Sequence, residues 1–252
     1  MKFRLIARLD IKNDALIKGV HLEGLRVVGD PVERALAYFS DGIDELLLID
    51  SVASLYQRNN LAEIICKICR RIFVPVTVGG GIRTVDDAQK LFDVGADKIA
   101  VNSAAISDPR LLSKLVSRFG AQAVVLSVQA KKNMYDPGRW IAMTDNGREN
   151  SNRCVVSWLQ EAKSYGFGEV LLTSIDREGT GSGFDIDLLD TILPSVDAPI
   201  LVSGGFGTSS HALQCYKSGA QAAVLAQSLH YNKIEINSVK SALSRYGIPV
   251  RS

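Results

Sequence analysis

A short strand that ends in consecutive glycines occurs twice in this chain, and this repeat constrains the fold more than any other pattern. The first copy, residues 74–82, is a β-branched run leading into three glycines, and residues 198–206 have a closely similar pattern. The consecutive glycines of the two copies are 124 residues apart. The same distance separates Glu45 from Glu169, and each of these residues precedes the apolar run that comes before one copy. The repeat therefore covers half the chain and indicates duplicated strand–helix units.

Eight short apolar runs alternate with eight segments of helical periodicity. The predicted strands are residues 5–9, 46–49, 74–78, 98–101, 123–128, 170–173, 200–203 and 222–226, and the predicted helices are residues 31–41, 60–71, 85–94, 109–119, 155–165, 186–192, 209–218 and 236–246. Continuous apolar strands are typical of sheets covered on both faces, and right-handed crossovers that continue in one direction close such a sheet. Residues 1–252 are therefore expected to form a single α/β domain, a (β/α)8 TIM barrel with a half-barrel internal repeat. A doubly wound open sheet is the alternative, but it fits the half-chain repeat less well.

The charge of the chain argues against a nucleic-acid partner. Its 252 residues carry a net charge of +2, and the Lys and Arg residues are spread along the sequence rather than clustered. No apolar run is long enough to span a bilayer, and the first residues lead into a strand-like segment rather than a signal-peptide core. We therefore expect a cytoplasmic protein with no nucleic-acid or membrane partner.

The four cysteines and three histidines do not have the spacing of a metal site. Cys66 and Cys69 form a C-x-x-C pair, but they lie in a helix-patterned segment without the second ligand pair that a zinc site needs. Small buried residues on one helix face are the simpler interpretation. The sequence predicts no metal and no cofactor.

Polar residues follow most of the predicted strands, and in a (β/α)8 barrel the carboxyl ends of the strands form the functional face. Strand 1 is followed by a long loop, residues 11–30, and strand 6 by a glycine-rich loop, residues 174–183. Strand 5 is followed by a polar excursion to residue 153, with a hairpin around residues 139–141. The strand ends place Asp10, Asn102, Ser103 and Gln129 at this face, and we expect Asp50, Thr173, Asp176 and Ser203 on its substrate side.

Two anion sites are predicted on opposite sides of the barrel mouth. Backbone N–H groups of consecutive glycines near a helix start bind anions such as phosphate. The first site comprises Gly80, Gly81, Asn102 and Ser103, and the second comprises Gly179, Gly204, Gly205, Ala226, Gln227 and Ser228. A phosphorylated small molecule with one phosphate at each end fits this symmetry. The alternative is that the glycines only make tight turns, but the duplicated context favours phosphate binding.

In combination, five stretches of the sequence resemble HisF, the cyclase-subunit family of imidazole glycerol phosphate synthase. They are residues 8–12 (RLDIK), 42–46 (GIDEL), 77–82 (TVGGGI), 95–98 (GADK) and 171–180 (LLTSIDREGT), and the similarity runs from about residue 4 to about residue 251. The resemblance implies a barrel that receives ammonia from a glutaminase subunit of the HisH type, docked as a heterodimer on the bottom face. At the top face the family uses this ammonia to cleave and cyclise a ribulosyl bisphosphate, which yields imidazole glycerol phosphate and an aminoimidazole carboxamide ribotide.

The resemblance also assigns an ammonia gate to four charged residues at the amino ends of strands. Arg4, Glu45, Lys98 and Glu169 precede strands 1, 2, 4 and 6 and match the family's gate. An ordinary solvated rim is the alternative, but a net-neutral quartet at the family's own positions favours the gate. Asp97 matches a family residue at the glutaminase interface. A retained gate implies a retained partner.

The catalytic pair that the resemblance implies is not intact. The family uses two aspartates, at the ends of strands 1 and 5, as general acid and base. Asp10 matches the first, and Lys18 matches a lysine of the mobile loop that closes over substrate, but Gln129 replaces the second aspartate. An amide does not exchange a proton near neutral pH as a carboxylate does. In addition, Arg8 replaces a cysteine at a usually small interior position, and Gln227 replaces a small residue in the second phosphate site.

Three functions are compatible with these residues. The first is a working cyclase in histidine biosynthesis. The second is a divergent paralogue that keeps ammonia conduction and phosphate binding but supplies ammonia for another amidotransfer, such as acetamidino-sugar synthesis by a separate synthetase. The third, a one-substrate sugar-phosphate isomerase, has no need of the charged ring. Losing one member of an acid–base pair costs about two to four orders of magnitude in rate, which favours the second function.

Overall fold

Twelve strands, ten α-helices and three short 3-10 helices make up the regular structure of the computed structural model, which describes residues 2–51 and 61–251. The strands are β1 (Arg4–Lys12), β2 (Ala15–Val20), β3 (Glu23–Gly29), β4 (Glu45–Asp50), β5 (Val76–Gly79), β6 (Lys98–Val101), β7 (Val124–Lys132), β8 (Trp140–Thr144), β9 (Glu149–Cys154), β10 (Glu169–Ser174), β11 (Ile200–Ser203) and β12 (Ala222–Leu225). The helices are α1 (Pro31–Ser40), α2 (Ala62–Cys69), α3 (Val85–Asp93), α4 (Ser103–Ser107), α5 (Arg110–Phe119), α6 (Val155–Lys163), α7 (Ile186–Ile192), α8 (Ser209–Lys217), α9 (Gln227–His230) and α10 (Ile236–Arg245). None of these helices is long and apolar enough to cross a membrane.

Eight of the strands pair in parallel around a closed ring. The ring order is β1, β4, β5, β6, β7, β10, β11 and β12, and β12 returns to pair with β1. Helices alternate with these strands along the chain and cover the outside of the ring. The predicted (β/α)8 barrel is confirmed, and the open-sheet alternative is wrong because a closed ring has no sheet edge.

Local sequence signals account for most of the element boundaries. Asp30 accepts a hydrogen bond from the backbone N–H of Glu33 at 2.8 Å, with Pro31 in the first turn of α1. Thr84 and Asp87 form a reciprocal capping box at the start of α3. The helix predicted from residue 60 begins at Ala62, and residue 60 itself lies outside the described residues.

The inward-facing side chains form layers along the barrel bore. Successive inward positions of β1 are Arg4, Ile6, Arg8 and Asp10, because side chains two residues apart share one face of a strand. The layer of Ile6 is an apolar belt that also contains Leu47, Ala100, Val125, Leu171, Leu201, Ala222 and Val224. Charged side chains therefore occupy the bore on both sides of an apolar layer.

Two antiparallel hairpins extend the barrel wall at the carboxyl ends of the strands. Residues 11–30, predicted as a long loop, instead complete β1 and then form the β2–β3 hairpin, which pairs with β1 through Asp10 and Ile17. The predicted excursion after strand 5 contains β8 and β9, and Trp140 of β8 pairs with Lys132 of β7. The loop expectation for residues 11–30 is wrong, since β1 runs on past the barrel rim and gives β2 an edge to pair with.

The half-chain repeat is preserved in the backbone. Asn102 has φ and ψ of −129° and −88°, and its counterpart Ala226 has −138° and −82°. At Gly80 a side chain would overlap the carbonyl oxygen of Asp50, and at Gly204 it would overlap that of the equivalent Ser174. Both glycines also have positive φ, so glycine is required at each position by the same local geometry.

Candidate functional site

A cavity of about 410 Å³ opens at the carboxyl ends of the barrel strands. Its lining includes Arg8, Asp50, Gly80, Gly81, Ile82, Asn102, Ser103, Ser127, Gln129, Asp145 and Asn146. The four residues of the first predicted anion site therefore face one cavity, beside Asp50, which was predicted to face substrate, and Gln129. Because the glycines are already required by their backbone conformation, their presence alone does not demonstrate an anion, and phosphate binding stays a prediction.

The second glycine cluster encloses much less space. Its cavity measures about 10 Å³, which is room for roughly one water molecule. The lining comprises Glu178, Gly179, Gly181, Ser203, Gly204, Gly205, Phe206, Val224, Ala226 and Gln227. The hydroxyl of Ser228 is buried nearby without a hydrogen-bond partner among the described residues. The two clusters are thus equivalent in backbone but unequal in volume, and a carboxylate lines the smaller one.

The Arg8 side chain lies inside the bore and lines the cavity together with Ala100 and Leu171 of the apolar belt. Its Nε donates to Oδ1 of Asp10 at 2.8 Å, and its Nη1 lies 3.4 Å from the hydroxyls of both Thr173 and Ser203. Those two residues belong to β10 and β11, so the side chain reaches from β1 across the bore to strands that are not its neighbours. Thr173 and Ser203 thus support this guanidinium, and their contact with substrate stays a prediction.

Asp10 is held between two cations. Burial alone would raise the pKa of its carboxyl, but the adjacent charges of Arg8 and Lys18 outweigh burial and hold the pKa below its usual value. Lys18 Nζ lies 3.4 Å from Asp10 Oδ2 and forms a second, closer ion pair with Glu178. The expectation that Lys18 belongs to a loop is wrong, because it is a buried residue of β2. Asp10 is therefore a permanently charged, fully paired carboxylate at neutral pH.

Gln129 is held in a network of amides. Its Oε1 accepts from Asn102 Nδ2 at 3.2 Å, and its Nε2 lies 3.5 Å from Oδ1 of Asn146. The same Asn102 amide donates to the backbone oxygen of Met143 at 3.0 Å. These contacts fix Gln129 in the cavity wall, and none of the partners can take up or release a proton near neutral pH.

Asp176 and Gly179 support the mouth from outside the 410 Å³ cavity. Asp176 accepts from the backbone N–H of Lys132 at 2.7 Å, which ties the loop after β10 to the end of β7. A side chain on Gly179 would overlap the carbonyl oxygen of Gly19 in β2, so the same loop also packs against the first hairpin. The structure gives these two residues positions that support the hairpins.

Four charged residues close the opposite end of the bore. Arg4 lies 2.7 Å from Glu45 and 2.8 Å from Glu169, and Lys98 lies 3.3 Å and 2.8 Å from the same two carboxylates. Each cation therefore bridges both anions, and the four side chains form a continuous ring across β1, β4, β6 and β10. The ring is largely buried, with exposed side-chain fractions of 16% or less, which an ordinary solvated rim would not have.

Asp97 lies at the same end of the barrel and is exposed. Its Oδ2 accepts from the backbone N–H of Val76 at 2.8 Å, and its repeat counterpart, Gln221, accepts from Ile200 at 2.6 Å. Asp97 also lines a surface hollow together with the exposed Phe73. The side chain thus fixes the start of β5, and its role at an interface remains a prediction.

The cysteine pair has the environment of packing residues. Burial raises the pKa of the Cys69 thiol to about 11, which disfavours the thiolate that metal binding or redox chemistry needs. Cys66 and Cys69 are both half-buried on α2. Among the described residues, no group of three or more His, Cys, Asp or Glu side chains is arranged to hold a metal ion.

Two buried ion pairs were missed by the sequence analysis. Glu178, which pairs with Lys18, stands in one of the family-like stretches but gave no separate signal. Asp44 and Lys240 pair at 2.7 Å, and Asp44 also accepts from the backbone N–H of Leu5 at 2.8 Å. Both pairs join segments far apart in sequence, so only a three-dimensional arrangement could reveal them.

The closed ring, its half-barrel repeat and the polar groups gathered at the carboxyl ends define a (β/α)8 barrel with a candidate site at the carboxyl ends of its strands. A family model described as "Histidine biosynthesis protein" matches residues 4–235. The chain belongs to this family. It is 56% identical over 204 residues to imidazole glycerol phosphate synthase subunit HisF of Legionella pneumophila. This alignment covers 81% of the chain and 95% of that protein. The subunit of the same name from Streptococcus sanguinis is 42% identical, over 100% of the chain and 99% of its own length. The one from Gluconacetobacter diazotrophicus is 44% identical, over 100% of the chain and 96% of its own length.

Proposed function

We propose that this chain is the barrel subunit of a glutamine amidotransferase complex. The barrel conducts ammonia and binds a bisphosphate ligand. The ammonia serves an amidotransfer other than cyclisation, such as acetamidino-sugar synthesis. The observation that carries this proposal is the state of the acid–base pair. Asp10 contacts two cations, and Gln129 stands where the resemblance calls for the second carboxylate. This is a HisF-type frame whose proton-transfer chemistry has been lost.

A general base works best when its pKa lies near the operating pH. The pKa of Asp10 is displaced in the opposite direction, so the carboxylate is a poor proton acceptor and has no proton to donate at neutral pH. Gln129 cannot replace it, because an amide does not exchange a proton near neutral pH. Proton transfer to and from a cyclising substrate would therefore depend on a group outside the pair.

Ammonia conduction and a partner subunit are supported by the other end of the bore. The ring of Arg4, Glu45, Lys98 and Glu169 has the composition that the resemblance assigns to an ammonia gate. The relatives are named as subunits, which supports a complex with a glutaminase of the HisH type docked near Asp97. We infer a cytoplasmic heterodimer that needs neither a metal nor a cofactor.

A genuine cyclase in histidine biosynthesis is the second candidate. The names of the relatives favour it, and so does one feature of the cavity. Asp50 and Asp145 line the same cavity as Gln129. A carboxylate is therefore present in the cavity, and a substrate held differently could use it in place of the lost aspartate.

The decisive assay supplies the ribulosyl bisphosphate and excess ammonium salt to the purified barrel, which bypasses any glutaminase. We expect turnover about two to four orders of magnitude below that of the Streptococcus sanguinis subunit assayed in parallel. Comparable turnover would overturn the proposal and establish the cyclase.

Two variants separate the causes of a low rate. Gln129→Asp restores the missing carboxylate, and Arg8→Cys removes the cation beside Asp10. If both residues block the chemistry, each single variant should raise the turnover rate only slightly. The double variant should raise it by far more than the product of the two single increases. If the double variant gains nothing, the loss lies elsewhere in the mouth.

A further inference from the structure

The second glycine cluster carries a long side chain, Gln227, where the first cluster carries a short one. The counterpart of Gln227, 124 residues earlier in the half-chain repeat, is Ser103, and each residue lines the cavity of its own cluster. The first cavity measures about 410 Å³ and the second about 10 Å³. Because the two backbones are closely similar, side chains must account for much of this difference.

The Gln227 side chain is not held in place by polar contacts. It is half-buried, and no hydrogen bond or ion pair joins its amide to another residue in the described part of the chain. Its Oε1 lies 3.9 Å from the position that a Cβ of Gly181 would occupy, so the side chain extends from the start of α9 toward the loop after β10. Both residues line the small cavity, and the amide forms the wall between them.

The other large side chains of this lining are fixed by their contacts. Glu178 forms a buried ion pair with Lys18, and its backbone carbonyl accepts from the N–H of His21 at 2.8 Å. Phe206 is 5% exposed and belongs to the hydrophobic core. The glycines contribute no side chain. A larger occupant therefore enters most readily by displacing Gln227.

A phosphate group needs more space than the single water molecule that the second cavity holds. We propose that Gln227 occludes the second phosphate site: its side chain fills the site in the free protein and rotates away when a phosphate enters. The proposal rests on the phosphate-binding part of the proposed function, which supplies the occupant. The rotation breaks no hydrogen bond of the Gln227 amide to the described residues, so it costs little.

The groups around the occluded space are those that a phosphate needs. Gly204 and Gly205 line it with consecutive backbone N–H groups, an arrangement that binds anions. The hydroxyl of Ser228, the residue after Gln227, is buried nearby without a partner among residues 2–51 and 61–251. Buried hydroxyls are normally hydrogen-bonded, so a free one beside this cluster is expected where a ligand completes the set.

Occlusion makes the two phosphate sites unequal. When only a fraction of the molecules has an open site, the apparent affinity for a ligand is reduced by that fraction. The first cluster has the short Ser103 at the equivalent position and an open cavity, so it should fill at a lower phosphate concentration. A ligand with one phosphate would then occupy the first cluster alone, and only a second phosphate would displace Gln227.

Calorimetric titration of the purified protein with inorganic phosphate tests the occlusion. We expect a tighter and a weaker site in the wild type. Gln227→Ala removes the occluding side chain and should tighten the weaker site by about fivefold or more while leaving the tighter site unchanged. Ser103→Ala, the matched substitution in the first cluster, should weaken the tighter site alone. A second site that is unchanged or weaker in Gln227→Ala would overturn the proposal.

A further variant and a direct observation separate space from chemistry. Gln227→Met keeps the length of the side chain without its amide, so its second site should stay weaker than that of Gln227→Ala. Equal tightening in both variants would contradict a side chain that acts by filling the site. In wild-type crystals, Gln227 should fill the second cluster without phosphate and turn away from phosphate bound there. Phosphate bound beside an unmoved Gln227 would also overturn the proposal.

These measurements distinguish the occlusion from the proposed function. Phosphate bound at the first cluster and weakened by Ser103→Ala tests whether the barrel binds phosphate at all. If that site binds and the second does not respond to Gln227→Ala, the occlusion is wrong and phosphate binding by the barrel stands. If neither site binds phosphate in the wild type or in Gln227→Ala, both proposals fail.

Discussion

His230 is a buried histidine whose protonation opposes folding. Burial, reinforced by the charge of Lys18, lowers its pKa to about 4, and its Nδ1 lies 2.7 Å from the hydroxyl of Tyr38. A lowered folded-state pKa contributes stability that is complete above the unfolded value of about 6.5 and is lost as pH falls through about 4. We expect this residue alone to reduce the free energy of unfolding by up to about 3 kcal/mol across that window.

Denaturant titrations at a series of pH values measure the effect. His230→Gln keeps a side chain that can bond to Tyr38 but does not titrate, so the curve of stability against pH should flatten between pH 6.5 and 4. Tyr38→Phe removes the hydroxyl and keeps the imidazole, and it should lower stability without flattening the curve. An unchanged slope in His230→Gln would show that other groups carry the acid sensitivity.

Gly205 combines a restricted backbone conformation with a close backbone neighbour. Its φ is +100°, and a side chain there would overlap the carbonyl oxygen of Gly183. Gly205→Ala should cost about 2 kcal/mol or more, because both the backbone strain and the overlap must be relieved. Gly138→Ala is the matched control, since Gly138 has φ of +91° and open space around it, and it should cost about 1 kcal/mol. Equal losses in chemical denaturation would mean that the overlap relaxes without cost.

The β2–β3 hairpin is attached to the barrel by a buried charge cluster. Lys18 of β2 pairs with Asp10 of β1 and with Glu178 in the loop after β10, and the backbone N–H of His21 donates to the Glu178 carbonyl at 2.8 Å. Lys18→Met should destabilise the protein by about 3–5 kcal/mol, because Glu178 is left buried without its cation. The measurement is the denaturant midpoint, together with amide exchange of β2.

A second substitution tests the cause of that loss. Glu178→Gln keeps the shape and an acceptor for Lys18, so it should cost less than Lys18→Met, about 1–3 kcal/mol. The double variant, Lys18→Met with Glu178→Gln, removes the orphaned charge and should be more stable than Lys18→Met alone. A double variant less stable than Lys18→Met alone would show that packing, rather than charge, holds the hairpin.

The elements that sequence predicted well are those whose signals are local. Apolar strand runs, the Asp30 cap and the Thr84 capping box depend on neighbours a few residues away, and the eight alternations leave few topologies. The β2–β3 hairpin was missed because its register depends on β1 continuing beyond the barrel rim. Its strand β3 is largely exposed, so it lacks the continuous apolar run of the barrel strands.

The candidate site was predictable in its membership and not in its contacts. The substitutions at Arg8 and Gln129 were visible by comparison with the family pattern, and both side chains do line the cavity. That Arg8 reaches Thr173 and Ser203 depends on the curvature of a closed barrel. The unequal volumes of the two glycine clusters were hidden as well, because the repeat is a property of the backbone and the volumes are set by side chains such as Glu178.

The bore of the whole barrel is a sequence of layers with different chemistry. A ring of four charges closes the amino end, an apolar belt follows, and the cavity at the carboxyl end is lined by Arg8 and by part of that belt. A neutral small molecule such as ammonia crosses an apolar layer far more readily than an ion, because burying a charge is costly. The proposed function therefore assigns conduction along the axis and chemistry at the mouth to separate residues, and this separation is what allows it to keep one without the other.

The ring ties four strands of the barrel together, and its energetics can be measured by double-mutant cycles. Arg4→Met and Glu169→Gln should each destabilise the protein, and the double variant should lose less than the sum, with a coupling energy of about 1–3 kcal/mol. The exposed pair Glu63 and Lys67, one turn apart on α2, is the control, and Glu63→Gln with Lys67→Met should show far weaker coupling that disappears in high salt. The ring coupling should persist in high salt because its members are largely buried. A ring coupling as weak and as salt-sensitive as the control would show that the four charges are a solvated rim, which would remove the structural support for a gate.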